Sequence, residues 1–272
     1  MTGRLLVLRQ MLRDRRRSTA WWCVGAAAMT VTLATAYPSV RDSAAALDDY
    51  MNSLPDGLVE LFGGSAGIGT PAGYLSSEIY ANLLPGLLIV LGIGAAAWSV
   101  AGAEAEGTLE MLLASPVSRT RVALERLAGV AVVTLVVTAV TSSALAVVAP
   151  FLGLGGLRGD AVWAAGTSVW ALTMCVAGVT FGVGAATGVR GRAIAVGSAV
   201  AAGTYVLYGL AGLVEALRPL RWGSPWFWFL DADALVEGFT ARLMLQGVVL
   251  PLAVCGAAAA AGVLRLRVRD VR

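Results

Sequence analysis

The sequence predicts an all-α integral membrane protein with six transmembrane helices, and three observations carry that expectation. First, the chain is 58% hydrophobic and 14% charged, whereas soluble domains hold roughly 45–50% apolar and about 25% charged residues. Second, six apolar segments, at about 20–38, 82–103, 127–149, 161–187, 193–214 and 242–264, approach or exceed the roughly 20 residues that a spanning helix needs. Third, the arginines are shared very unevenly among the connections between those segments. Polar backbone groups in lipid must pair within their own segment, so the apolar runs are helices and not open strands. A single transmembrane domain over residues 1–272 is expected.

Orientation follows from the third observation. With both ends and the second and fourth connections in the cytoplasm, fifteen arginines lie inside and five outside, as the positive-inside rule asks. The inner set is Arg4, Arg9, Arg13, Arg15, Arg16 and Arg17, then Arg119, Arg121 and Arg126, then Arg190 and Arg192, then Arg265, Arg267, Arg269 and Arg272. The outer set is Arg41, Arg158, Arg218, Arg221 and Arg242. Aromatic residues agree, with Tyr37, Tyr80, Trp163, Trp222, Trp226 and Trp228 near the outer interface and Trp21 and Trp22 near the inner one.

Ahead of the first span, RLLVLRQMLRDRRR puts Leu5, Leu8 and Leu12 on one helical face and Arg9, Arg13 and Arg16 on another. That pattern predicts an amphipathic helix along the inner membrane surface. Basic residues, an apolar run and Ala34-Thr35-Ala36 also resemble a cleavable signal. The basic region is long for a signal and five spans follow, so the segment is expected to stay as span one. The third span carries no charge, and the sixth is interrupted by Gln246 and Pro251. The 39–76 loop is acidic, and its apolar residues recur at helical spacing on either side of Pro55, which predicts two short surface helices. GGSAGIGTPAG reads as a flexible connector into span two. RPLRWGSPWFWFLDADALVEG is too polar to span and too aromatic for a free loop, so it should lie on or dip into the outer interface.

Missing residue types exclude several chemistries. With no histidine, the chain lacks the usual general base, the commonest metal ligand and a Ser-His nucleophile. With no lysine among its basic residues, it cannot contain a G-x-x-x-x-G-K-[ST] phosphate loop. Nucleotide hydrolysis of that kind must come from another polypeptide. Cys23, Cys175 and Cys255 sit far apart within apolar runs and have no metal-ligand spacing, so they read as small apolar side chains. No catalytic residue, metal site or bound cofactor is expected in this chain, and nothing in it points to nucleic acid.

Between spans two and three, AEAEGTLEMLLASPVSRTRV is far longer than a turn needs. Gly107 can end the second helix, and Thr108 can cap a short new one. Leu109, Leu112 and Leu113 share a face of that helix while Glu110 points elsewhere. Pro116 stops it, and Ser118 can cap span three. The product is a short amphipathic helix at the cytoplasmic face, continuous at both ends with spans that can tilt.

Glu-x-Glu-Gly-Thr-Leu-Glu-x-Leu-Leu-Ala-x-Pro-Val-Ser-Arg at 104–119 resembles the coupling segment of the ABC type-2 transporter permeases. The six-span layout, LPDGLVELFGG and TPAGYLSSEIY are similar to that family more loosely. RWGSPWFWFL matches its outer re-entrant region in position only. The resemblance implies a permease that pairs with a second permease subunit, alike or different, in the lipid bilayer of a bacterial cytoplasmic membrane. It implies a separate ATP-binding-cassette ATPase, which would hold the ATP and Mg. It makes Glu104, Glu106, Gly107, Thr108, Leu109, Glu110, Leu112, Leu113, Pro116, Ser118 and Arg119 the docking set.

Two other classes fit the sequence less well. A membrane enzyme without histidine would need an aspartate pair, and no aspartate lies mid-span. An ion-coupled secondary transporter would hold ionisable residues inside its spans, whereas charges such as Glu78 and Glu215 sit at span ends. For cargo, the spans offer Thr30, Thr32, Thr134, Thr138, Thr141, Ser142, Ser143 and many glycines with few fixed charges. Such a lining suits an exported hydrophobic or amphipathic compound such as a drug, an antibiotic or a lipid. Gly178-x-x-x-Gly182 is read as a helix-packing site and not a ligand site.

Overall fold

The computed structural model describes residues 5–42, 70–105, 107, 118–154 and 156–269. Every regular element among the described residues is a helix. Six are long and apolar enough to cross a bilayer: α1 (Leu6–Asp42), α2 (Pro71–Ala105), α3 (Arg119–Leu152), α4 (Gly159–Thr187), α5 (Arg190–Leu213) and α8 (Leu243–Val268). Between α5 and α8 come a 3-10 stretch over Glu215–Gly223 and two short helices, α6 (Pro225–Leu230) and α7 (Ala234–Glu237). Each helix contains nearly all of one expected apolar segment, and most run beyond it. Hydropathy marks the hydrocarbon stretch, while backbone pairing carries the helix into the interface until a cap or breaker stops it. The expected surface helices of the first outer loop fall mostly at 43–69, outside the described residues.

α4 forms the centre of the bundle, largely buried and packed against α2, α3, α5 and α8. Its closest neighbour is α8, and the glycines explain why. A methyl group built on Gly178 would lie 2.5 Å from Cys255 Cα, and one on Gly262 would lie 2.6 Å from Gly182 Cα. The backbones touch where side chains would otherwise hold them apart. The Gly178–Gly182 pair is therefore a packing site, as its spacing predicts. All three cysteines are free thiols, and Cys175 and Cys255 are buried.

The N-terminal segment is helical but is not a separate helix. Leu6–Thr35 runs without a break into the first span, because no proline interrupts it and arginine is a good helix former. The first irregularity comes at Ala36, just before Pro38. Arg9, Arg13 and Arg16 are exposed, while Leu8 and Leu12 are half-buried, so the expected two faces exist. The deepest anchors are Val7 and Met11, and Leu5 is exposed ahead of the helix. Met11 packs on Gly129 of α3.

Among the described residues, three stretches widen into π-helix: Ser76–Leu83, Trp98–Gly102 and Leu243–Val249. The first and third lead into Pro85 and Pro251. Each proline lacks the N–H that would bond four residues back, and a wider turn lets the helix continue around the defect. Gln246 and Pro251 thus distort the sixth span without interrupting it. The second helix starts earlier than the connector reading allows. Thr70 caps it by accepting from Gly73 N–H at 3.0 Å, and Pro71 takes the first turn.

The aromatic segment after α5 folds back into the bundle. Trp226, Phe227 and Phe229 are buried, and Trp226 Nε1 donates to Ala201 O at 3.2 Å. Ala201 lies twelve residues inside the end of α5 at Leu213, about 18 Å at 1.5 Å per residue. Ser224 Oγ donates to Thr204 O at 2.8 Å, and Tyr205 meets Trp226 edge-on at 4.8 Å. The segment dips deeply and does not lie flat. Tyr37, Tyr80 and Trp226 are accordingly interior, and only Trp21, Trp163 and Trp222 of the expected belts are well exposed.

Candidate functional site

The two roots of the 104–119 segment are described, and its centre is not. Glu104 lies in the last turn of α2, and Gly107 turns the chain with φ +71° while its N–H donates to Glu104 O at 3.0 Å. A left-handed backbone is nearly free for glycine and costly for other residues. Ser118 begins α3, its Oγ accepting from Arg121 N–H at 3.3 Å. The glycine stop and the serine cap therefore stand where the sequence puts them. Glu106, Thr108, Leu109, Glu110, Leu112, Leu113 and Pro116 lie outside the described residues.

Both roots are held by the far end of the chain. Arg269 donates twice to Glu104, at 2.9 and 2.5 Å. Arg119 Nη1 donates to Leu266 O at 3.2 Å and Arg269 O at 2.6 Å, and Arg267 Nε donates to Thr120 Oγ1 at 2.9 Å. The last carbonyls of a helix have no partner within it and attract a cation. Gly188, with φ +68° at the α4–α5 turn, lies against the Arg269–Glu104 pair. The start of α3 and the ends of α2, α4 and α8 thus meet at one arginine-rich end of the bundle.

Glu125 serves the N-terminus in a way no local pattern announces. One carboxylate oxygen accepts from Val7 N–H at 3.0 Å and Leu8 N–H at 3.2 Å, and the other accepts from Arg121 Nε at 2.8 Å. The first amides of α1 are orphans within their own helix, and a buried carboxylate on α3 satisfies two of them. Hydrogen bonds to a charged group contribute about 1.5–3 kcal/mol. In Glu125→Ala, exchange protection at Val7 and Leu8 should fall roughly ten- to a hundredfold, with Glu125→Gln between the two. Unchanged exchange of these amides in the alanine variant would mean that α1 docks by apolar contact alone.

Arg126, expected to be a flanking charge, is buried. It donates to Ser99 O within the second wide turn, and its guanidinium lies 5.8 Å from the Trp98 ring. Arg15 approaches the same ring at 4.9 Å. A buried cation needs such partners.

Toward the opposite end, a cleft of about 280 Å³ opens between α2, α5 and α6. It is lined by Asn82, Gly86, Ile89, Ala202, Tyr205 and Trp226, among others. Tyr205 OH donates to Asn82 Oδ1 at 2.7 Å, and Asn82 Nδ2 donates to Ser77 O at 3.3 Å. These polar groups satisfy each other, leaving mostly apolar walls. None of the span hydroxyls Thr30, Thr32, Thr134, Thr138, Thr141, Ser142 and Ser143 is among the residues lining this cleft. Thr134, Thr138, Thr141 and Ser143 each donate to the carbonyl four residues back in α3, the nearest acceptor in an apolar setting. Thr30 and Ser142 are buried in packing.

No curated protein matches the chain. The family model described as ABC-2 family transporter protein matches residues 5–220, a range holding five of the six spans and the whole 104–119 segment. The chain belongs to this family and is a membrane-spanning component of an ABC transporter.

Proposed function

We propose that this chain is the permease half of an ABC exporter that moves a hydrophobic or amphipathic compound out of a bacterial cell. In this reading the arginine-rich end faces the cytoplasm, and a separate ATPase subunit docks on residues 104–119. A second permease subunit completes the pathway. The observation that carries the reading is the rooting of that segment. A stretch that resembles the family's docking segment leaves α2 through a glycine turn and re-enters α3 through a serine cap. Both roots are continuous with buried spans, so a push on the segment becomes a tilt of α2 and α3. The cleft beside α2 and α5 supports the cargo class, since its walls are mostly apolar and carry no fixed charge.

The docking reading gives a direct test. Leu109, Leu112 and Leu113 would supply the apolar contact, each worth roughly 1.5–3 kcal/mol if fully buried. Changing Leu112 and Leu113 together to alanine should weaken ATPase binding by about a hundredfold or more. Glu110→Ala should keep the complex but separate hydrolysis from transport, because rim charges orient more than they bind. Gly107→Val should misplace the segment, since Gly107 holds a conformation that valine resists. The measurements are ATPase pull-down and ATP turnover in lipid vesicles. A leucine double mutant that binds and transports normally would reduce the segment to a connecting turn.

A further inference from the structure

We propose that the last turn of α8 is a third root of the coupling segment, with Arg269 as the positioning residue that makes α2, α3 and α8 move as one. The proposal rests on the docking reading above and adds a helix to it. Four observations converge. The Arg269–Glu104 pair is bidentate, and its side chains are only 22% and 7% exposed. It is therefore not one of the solvated surface pairs that contribute little. Arg119, at the other root, donates to two carbonyls at the end of the same helix. Arg267 adds a bond to Thr120. Gly188 accommodates the ion pair where a side chain would collide with the Arg269 guanidinium.

The geometry makes α8 a brace. Both roots of the segment are bonded to one helix end, so moving either root alone breaks charged hydrogen bonds in a partly buried place. Moving both together carries α8 along. α8 in turn lies backbone-to-backbone on α4 through Gly178, Gly182 and Gly262. A displacement delivered at 104–119 is thus passed to the buried centre of the bundle as well as to the two spans continuous with the segment. The planar fork of arginine suits this task better than a lysine point charge, because two parallel bonds fix direction as well as distance.

The test labels the exposed residues Ala105 and Val268, next to the pair on either side, with spin labels at introduced cysteines. Cys23, Cys175 and Cys255 are replaced by alanine, and the chain is assembled with its ATPase in lipid vesicles. The expected wild-type result is one narrow distance distribution, the same with and without ATP. Arg269→Gln should keep the ATPase bound, yet the distance should broaden or shift on ATP binding by roughly 2 Å or more. Transport per ATP should fall about fivefold or more. The exchange Glu104→Arg with Arg269→Glu should restore the narrow distribution, which a purely packing role would not do. If Arg269→Gln is not recovered from membranes, Arg269→Lys decides: a broadened distribution supports the proposal, and a wild-type one overturns it. An unaltered distance in Arg269→Gln with the ATPase bound overturns the brace and leaves docking intact. A wild-type chain that captures no ATPase overturns both.

Discussion

Gly182→Val will part the two helices at the centre of the bundle. A methyl group at Gly182 would meet the Ala258 carbonyl carbon at 2.9 Å, and the Gly182 backbone already fills the space a side chain at Gly262 would need. The obstacle is backbone on both sides, so no rotamer change relieves it. Overpacking costs about 1–3 kcal/mol when side chains can yield. Here two helices must move, and roughly 3 kcal/mol or more is expected. Thermal unfolding in detergent should show a large drop in midpoint for Gly182→Val. Gly256→Val is the control, because nothing lies within 4 Å of a side chain built there. Equal midpoints for the two variants would show that α4 and α8 tolerate separation.

Trp226→Ala is the second large effect. The indole is 5% exposed, donates to Ala201 O, and meets Tyr205 and Phe229 edge-on. Removing a buried tryptophan side chain costs about 3–5 kcal/mol. It would also remove one wall of the cleft shared by α2 and α5. Hydrogen exchange across 224–230 should rise strongly while the α4 core stays protected. Trp226→Phe keeps most of the ring and loses only the hydrogen bond, so about 1 kcal/mol is expected. Wild-type exchange in the alanine variant would mean that α6 is held mainly by its neighbours.

What the sequence made legible was local or periodic. The apolar runs, the glycine spacing in α4, the stop at Gly107 and the cap at Ser118 each depend on residues within a few positions. Thr70 followed by Pro71 is a local start signal for α2, but both residues fall inside the glycine-rich run that reads as a connector. Pro251 looked like a break because a proline removes one bond. The wide turn that absorbs the loss depends on neighbouring helices and has no sequence signature of its own. The aromatic residues were assigned to the interface by composition, whereas Trp226 reaches inward to a carbonyl that only the folded α5 presents. The bonds holding the arginine-rich end lie furthest from sequence reach. Glu104 and Arg269 are 165 residues apart, and Glu125 and Val7 are 118 apart. Nothing periodic links them.

The wide turn at Trp98–Gly102 has no proline to account for it, and its effect is angular. An α-helix advances about 100° per residue, and a single wide turn absorbs one surplus residue without advancing the helix by that step. Every side chain beyond the turn is therefore set back by one position. Without this turn, Ala103 would stand where Glu104 stands, and the carboxylate would face about a quarter turn away from Arg269. This turn offsets the end of the second span by one residue, and that offset aims Glu104.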